Sequence, residues 1–127
     1  MARPTNHPIE RYDDFWLFYL SEHAKPATRR LHYLGTGLAV AALAAAAVFA
    51  NPLILLAIPV AGYGPAWAAH FLVENNHPAT FTYPLWSLAS DFRMAFRRLS
   101  GRLDADLKRA GVMEPSVKVP ATADRQR

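Results

Sequence analysis

From Tyr33 to Val73 the chain runs 41 residues without a single Asp, Glu, Lys or Arg, although 14 basic and 10 acidic side chains occupy the rest of it. An ordinary soluble domain spreads its charges along the whole sequence. A block this long suffices for two crossings of a bilayer core, at about 20 apolar residues each. Asn51-Pro52, a turn and helix-breaking pair, sits near its middle. The expected fold is all-α: a small helical membrane protein with a central antiparallel transmembrane hairpin, about residues 31–50 and 53–74, plus flanking amphipathic helices. Two features leave the buried core of a soluble bundle as an alternative. Eight alanines between Tyr33 and Ala50 contribute little to insertion, and Pro59, Gly62, Gly64 and Pro65 interrupt the second arm. Gly35, Gly37, Ala41 and Ala45 suit close helix contact in either setting.

Composition narrows the rest. A chain of 127 residues is one domain, and 52% hydrophobic residues are too many for a disordered one. The absence of cysteine excludes disulfides, thiolate metal sites and cysteine nucleophiles. The first 30 residues, with Asp13, Asp14 and Glu22 and no long apolar run, do not read as a signal peptide. We divide the chain into a lead-in (1–9), a single helical domain (10–110) and a mobile tail (111–127).

Within that domain the patterning predicts an amphipathic helix over about 10–23, stopped by Lys25-Pro26, and a second helix capped by Thr28. A fourth helical pattern carries Leu85, Leu88, Phe92, Phe96, Leu99, Leu103 and Leu107 at three- or four-residue spacing. This helix reads as one lying at a lipid interface or as one docking on the bundle, and the two readings are compatible. Five Lys or Arg precede the block and nine follow it, while its tip has none, so both termini are expected on the cytoplasmic side. The membrane would be the inner membrane in a bacterium or the endoplasmic reticulum in a eukaryote. The basic balance, net +4, comes with no nucleic-acid-binding motif, and we expect no nucleic-acid partner.

The histidines carry the chemistry. His32 lies 19 residues before Asn51 and His70 lies 19 after it. In an antiparallel hairpin both return to one level, roughly 28 Å from the tip at 1.5 Å per residue. His23 is nine residues upstream of His32 and can fold back over the same edge. Three imidazoles at one level form a candidate ligand set for iron(II), zinc, copper or nickel, among which residue type does not choose. Glu74, four residues after His70, and Glu22, beside His23, could ligate or orient an imidazole. Histidines near helix ends also cap carbonyls, so a structural role stays open. His7 is expected to be solvated. No serine sits in a GxSxG elbow, and Gly62-x-Gly64 is not a phosphate loop. Asp91 with Arg93, and Tyr83 with Trp86, belong either to a polar edge of the site or to rim packing.

SEHAKPATRRLHYLGT (21–36), PVAGYGPAWAAHFLVENNHPATF (59–81) and YPLWSLASDFRM (83–94) resemble a family of small membrane proteins long catalogued as a domain of unknown function. Its characterised fungal member is an endoplasmic-reticulum 2-hydroxy fatty acid dioxygenase, acting in metabolism of phytosphingosine to odd-numbered fatty acids. The resemblance covers about residues 12–100. It implies iron(II), O₂ and a 2-hydroxy fatty acid in a lipid setting, with oxidative shortening by one carbon. It also implies His23, His32 and His70 as metal ligands with Glu74 in the accompanying acidic position. His77 stands where relatives often carry a basic residue and is a possible support. Arg29, Arg30 or Arg93 could steer the substrate carboxylate. Two other classes stay open: a non-catalytic membrane or scaffold protein with structural histidines, and a zinc-dependent lipid hydrolase.

Overall fold

The computed structural model describes residues 8–112, and those residues are helical with no strand among them. Most of the expected lead-in and tail, and His7 with them, lie outside the described residues. Gly111 and Val112 are described, and Val112 packs against the core.

Helix α1 runs Tyr12–Ser21, with Asp13 and Asp14 in its first turn where the helix dipole favours anions. Helix α2, Pro26–Val48, opens with proline at its first position, where the missing N–H costs nothing. The residue outside it is Lys25, so Thr28 is not the cap; it lies buried inside the first turn. Ala50 takes a left-handed φ of 48° at the hairpin tip. Asn51 then accepts from Leu53 N–H and starts the return arm. That arm is continuous over Pro52–Glu74. It begins as a 3-10 turn (Pro52–Leu56), continues as α3 (Ala57–Ala68) and ends in a π-helical turn (Ala69–Glu74).

The arms meet most closely where Gly35 faces the backbone of Gly62: a Cβ on Gly35 would stand 2.5 Å from the Gly62 carbonyl oxygen. Gly37, expected on the same seam, has nothing within 4 Å. Both arms are 23 residues long, apolar enough to cross a membrane. Only 17% and 11% of their most apolar windows are buried, against the idea of a soluble bundle core. Leu34, Leu43, Val48, Leu56 and Val60 all project outward.

The core lies at the open end of the hairpin. Phe15, Trp16, Tyr19 and Leu20 of α1 pack with Met94 of α4 (Pro84–Leu99) and with Leu103 and Leu107 of α5 (Leu103–Arg109). The fourth pattern is therefore two helices. Gly101, with φ 74°, ends α4, and Leu103 and Leu107 belong to α5, clamped to α4 by Arg97, whose Nε and Nη2 donate to buried Asp106 at 2.7 and 2.9 Å. The face of α4 turned to the protein is not its apolar one. Ser87, Ser90 and Met94 are buried, while Leu85, Leu88, Phe92, Phe96 and Leu99 are exposed. Among the described residues nothing covers most of that ridge, and only Leu88 and Phe92 are as much as half covered.

Candidate metal centre

α1 ends one turn before α2 begins, and the short link folds His23 over the start of the hairpin. Arg29 fixes this link, its Nη1 donating to the carbonyls of His23 and Ala24 at 2.8 Å each. Opposite, the π turn presents His70. Such widened turns recur at functional sites because they re-aim side chains that a regular helix would hold in register. Asn75, left-handed at φ 56°, then reverses the chain so that Asn76 returns to His70, its N–H reaching the His70 carbonyl at 3.0 Å.

His23, His32 and His70 converge, all three buried, with one ligand atom from each within 4.8 Å of the others. The Nε2 atoms of His23 and His32 are 3.0 Å apart and those of His32 and His70 3.2 Å. The rings stand nearly perpendicular to one another, at 74–84°. Each Nδ1 has an oxygen partner. His23 Nδ1 is 2.6 Å from the Tyr19 carbonyl, which can only accept. His70 Nδ1 is 2.6 Å from Asn76 Oδ1, whose amide orientation is set by Nδ2 donating to the Glu22 carbonyl and carboxylate. His32 Nδ1 is 3.3 Å from Asp91 Oδ1, which also accepts from the Tyr19 hydroxyl.

A neutral imidazole has one N–H. If every Nδ1 carries it, every Nε2 presents a lone pair, and the short Nε2–Nε2 contacts hold no proton. Burial, reinforced by the two neighbouring imidazoles, pushes the His23 pKa well below its ordinary value, so protonation does not relieve the crowding. Burial and then the Asp91 charge push the Tyr19 phenol well above its usual value, keeping it a donor. Three buried lone pairs aimed at one point, each backed by an oxygen on the far nitrogen, fit a divalent metal.

The other sequence-expected residues lie around this cluster in different roles. Glu74 reaches the start of α2, accepting from Lys25 N–H and from Thr28 Oγ1 (2.8 Å), and is not among the grouped ligands. Glu22 supports His70 through Asn76. His77 is exposed and stands edge-on to Phe71. Arg93 lies over the Trp16 and Tyr12 rings at 4.4 and 5.5 Å. Arg29 is committed to the link, and Arg30 lines a separate basic recess with Arg98 and Asp104. Sequence reasoning missed Asn76 and the Tyr19 carbonyl. The four-residue spacing of Tyr19 and His23 was a signal for the second; nothing in the periodicity marked the first.

A protein-family model described as 2-hydroxy-palmitic acid dioxygenase Mpo1-like matches residues 9–103. No curated protein and no solved structure matches the chain. The matched span takes in α1 to α4, the hairpin and all three converging histidines. On that match the chain belongs to the Mpo1-like family.

Proposed function

We propose that this protein is a membrane-embedded, iron(II)-dependent dioxygenase that shortens 2-hydroxy fatty acids by one carbon. The observation that carries the reading is the convergence of the three Nε2 atoms, in a chain whose family is described as a 2-hydroxy-palmitic acid dioxygenase. His23, His32 and His70 would hold the iron, and their all-nitrogen, thiolate-free character suits it. Bound iron(II) would supply the redox chemistry by which O₂ attacks the C1–C2 bond. The balance needs no other reductant: a 2-hydroxy acid and O₂ give the acid one carbon shorter, CO₂ and water. Four electrons leave the two carbons and four reduce O₂.

This chain's residues then have separable tasks. The Tyr19 carbonyl, Asp91 and Asn76 orient the imidazoles. The buried aromatic wall of Phe15, Trp16 and Tyr19 limits bulk water. The hairpin spans the bilayer, with both termini on the cytoplasmic side, its basic flanks outside the hydrocarbon and the outward apolar ridge of α4 resting on the interface. The substrate carboxylate thereby stays at the wet edge while its tail remains in lipid.

The test uses untagged protein in detergent or nanodiscs, loaded anaerobically with iron(II), then exposed to O₂ with 2-hydroxypalmitate. The expected product is pentadecanoate with one O₂ consumed per turnover, and the three single His→Ala variants should bind no iron and consume no O₂. Full activity in all three variants, or turnover supported by zinc alone, would overturn the reading.

A further inference from the structure

One face of His32 is the end wall of a recess of about 210 Å³ between α2, α3 and α4. His32 brings Asp91 and, one turn along α2, Thr36 to that end as polar lining. Away from it the walls are Ala39, Ile58, Pro59 and Gly62, with Tyr63 and, from α4, Leu88 and Phe92. Leu88 and Phe92 are each about half exposed and belong to the outward ridge of α4, so the recess opens sideways onto the apolar exterior. A polar end at a candidate metal site and a narrow apolar body leading to the outside match an amphiphile with one head and one tail.

We propose that this recess is the acyl subsite of the enzyme, entered laterally from the bilayer past Leu88 and Phe92 of α4, with Ala39 and Gly62 setting its bore. The proposal rests on the dioxygenase reading and adds where the tail lies. Two observations make Ala39 and Gly62 the residues that set the width. Both are small residues of its lining, and within 4 Å a Cβ added to Gly62 would meet only the Ala39 Cβ, at 3.6 Å. Extra methyl groups there take space from the recess without colliding with backbone. The volume fixes the length. At roughly 30 Å³ for each water-sized group, the recess takes about seven methylenes, and the remainder of a longer chain lies past Phe92 among lipid tails. Selectivity for chain length is therefore expected to rise through short acids and level off once the recess is filled.

The experiment maps a 2-hydroxy fatty acid of palmitate length, carrying a photoreactive diazirine at carbon six, on the anaerobic iron-loaded protein in nanodiscs. Adducts are expected on Ile58–Tyr63 or Leu88–Phe92, competed by unlabelled 2-hydroxypalmitate. Ala39→Leu should lower that labelling about tenfold and cut kcat/KM for 2-hydroxypalmitate by a similar factor, sparing a four-carbon 2-hydroxy acid and leaving bound iron unchanged. Gly62→Ala should act in the same direction more weakly. Adducts scattered over outward residues such as Leu43 and Val48, and not competed, would overturn the subsite even if chain shortening proceeds. Competed adducts in the recess without chain shortening would uphold the subsite and overturn the dioxygenase reading. The wild-type map decides the matter if Ala39→Leu fails to fold.

Discussion

Asp91 on α4 faces Nδ1 of His32 on α2 across 3.3 Å, and so joins α4 to the hairpin through the candidate metal centre. A carboxylate behind an imidazole fixes its tautomer and raises the basicity of the opposite nitrogen. Asp91→Ala should weaken metal binding by about 10–100-fold while the helical content stays unchanged. Competition with a chromophoric chelator measures the first and far-ultraviolet circular dichroism the second. Unchanged affinity would remove Asp91 from the centre.

Asn76 does for His70 what Asp91 does for His32, and it is held in turn by Glu22. Asn76→Ala leaves the buried His70 Nδ1 without an acceptor. At least a tenfold loss of metal affinity is expected. Glu22→Gln, which keeps an acceptor oxygen for Asn76, should lose much less. Equal losses in the two variants would show that the charge of Glu22, and not the orientation of Asn76, matters.

Glu74 gives the opposite expectation. Its carboxylate ties Lys25 N–H and Thr28 Oγ1 at the start of α2. Glu74→Ala should therefore cost about 1 kcal/mol of stability, as loss of a helix cap does, without lowering the bound metal per chain. Metal analysis after gel filtration, beside thermal unfolding in detergent, distinguishes a cap from a ligand.

Metal should act on the fold as well as on activity. Three lone pairs crowded at one point favour the state that holds a cation, and a ligand bound only by the folded state stabilises it. At a free metal concentration 100-fold above Kd the gain is about 2.7 kcal/mol. His32→Ala, which removes the imidazole shared by both short contacts, should abolish the rise in Tm on metal addition. A rise that survives in that variant would place the ion elsewhere.

The glycines of the seam differ sharply. Gly35→Ala drives a Cβ into the Gly62 carbonyl and is expected to cost about 1–3 kcal/mol. Gly37→Ala meets nothing within 4 Å and should be neutral or stabilising by up to about 1 kcal/mol. Unfolding of both variants in mixed micelles checks the contrast.

Much of this arrangement was legible before any coordinates. The uncharged block, its Asn51-Pro52 midpoint and the matched distances to His32 and His70 follow from counting along a helix. What counting does not carry is a change of helix type or of chain direction. The π turn and left-handed Asn75 bring Asn76 to His70, and send Glu74 to Lys25 and Thr28, although four-residue spacing had put Glu74 on the His70 face. The α4 pattern likewise told which residues share an apolar face. It could not tell whether that face meets protein or lipid, since Leu and Phe suit both. The break at Gly101 was hidden because Leu103 and Leu107 keep the three- to four-residue spacing across it.

The three histidines come from segments separated by nine and 38 residues, one before the hairpin and one on each of its arms. No nascent fragment that ends before His70 contains the centre. It exists only after the second arm has returned and α1 has closed over the open end. If the hairpin inserts in a bilayer and the centre takes a metal, as proposed above, capture must follow insertion, and a chain stalled with one arm across would stay without an ion. Occupancy of this centre would then report completed topology.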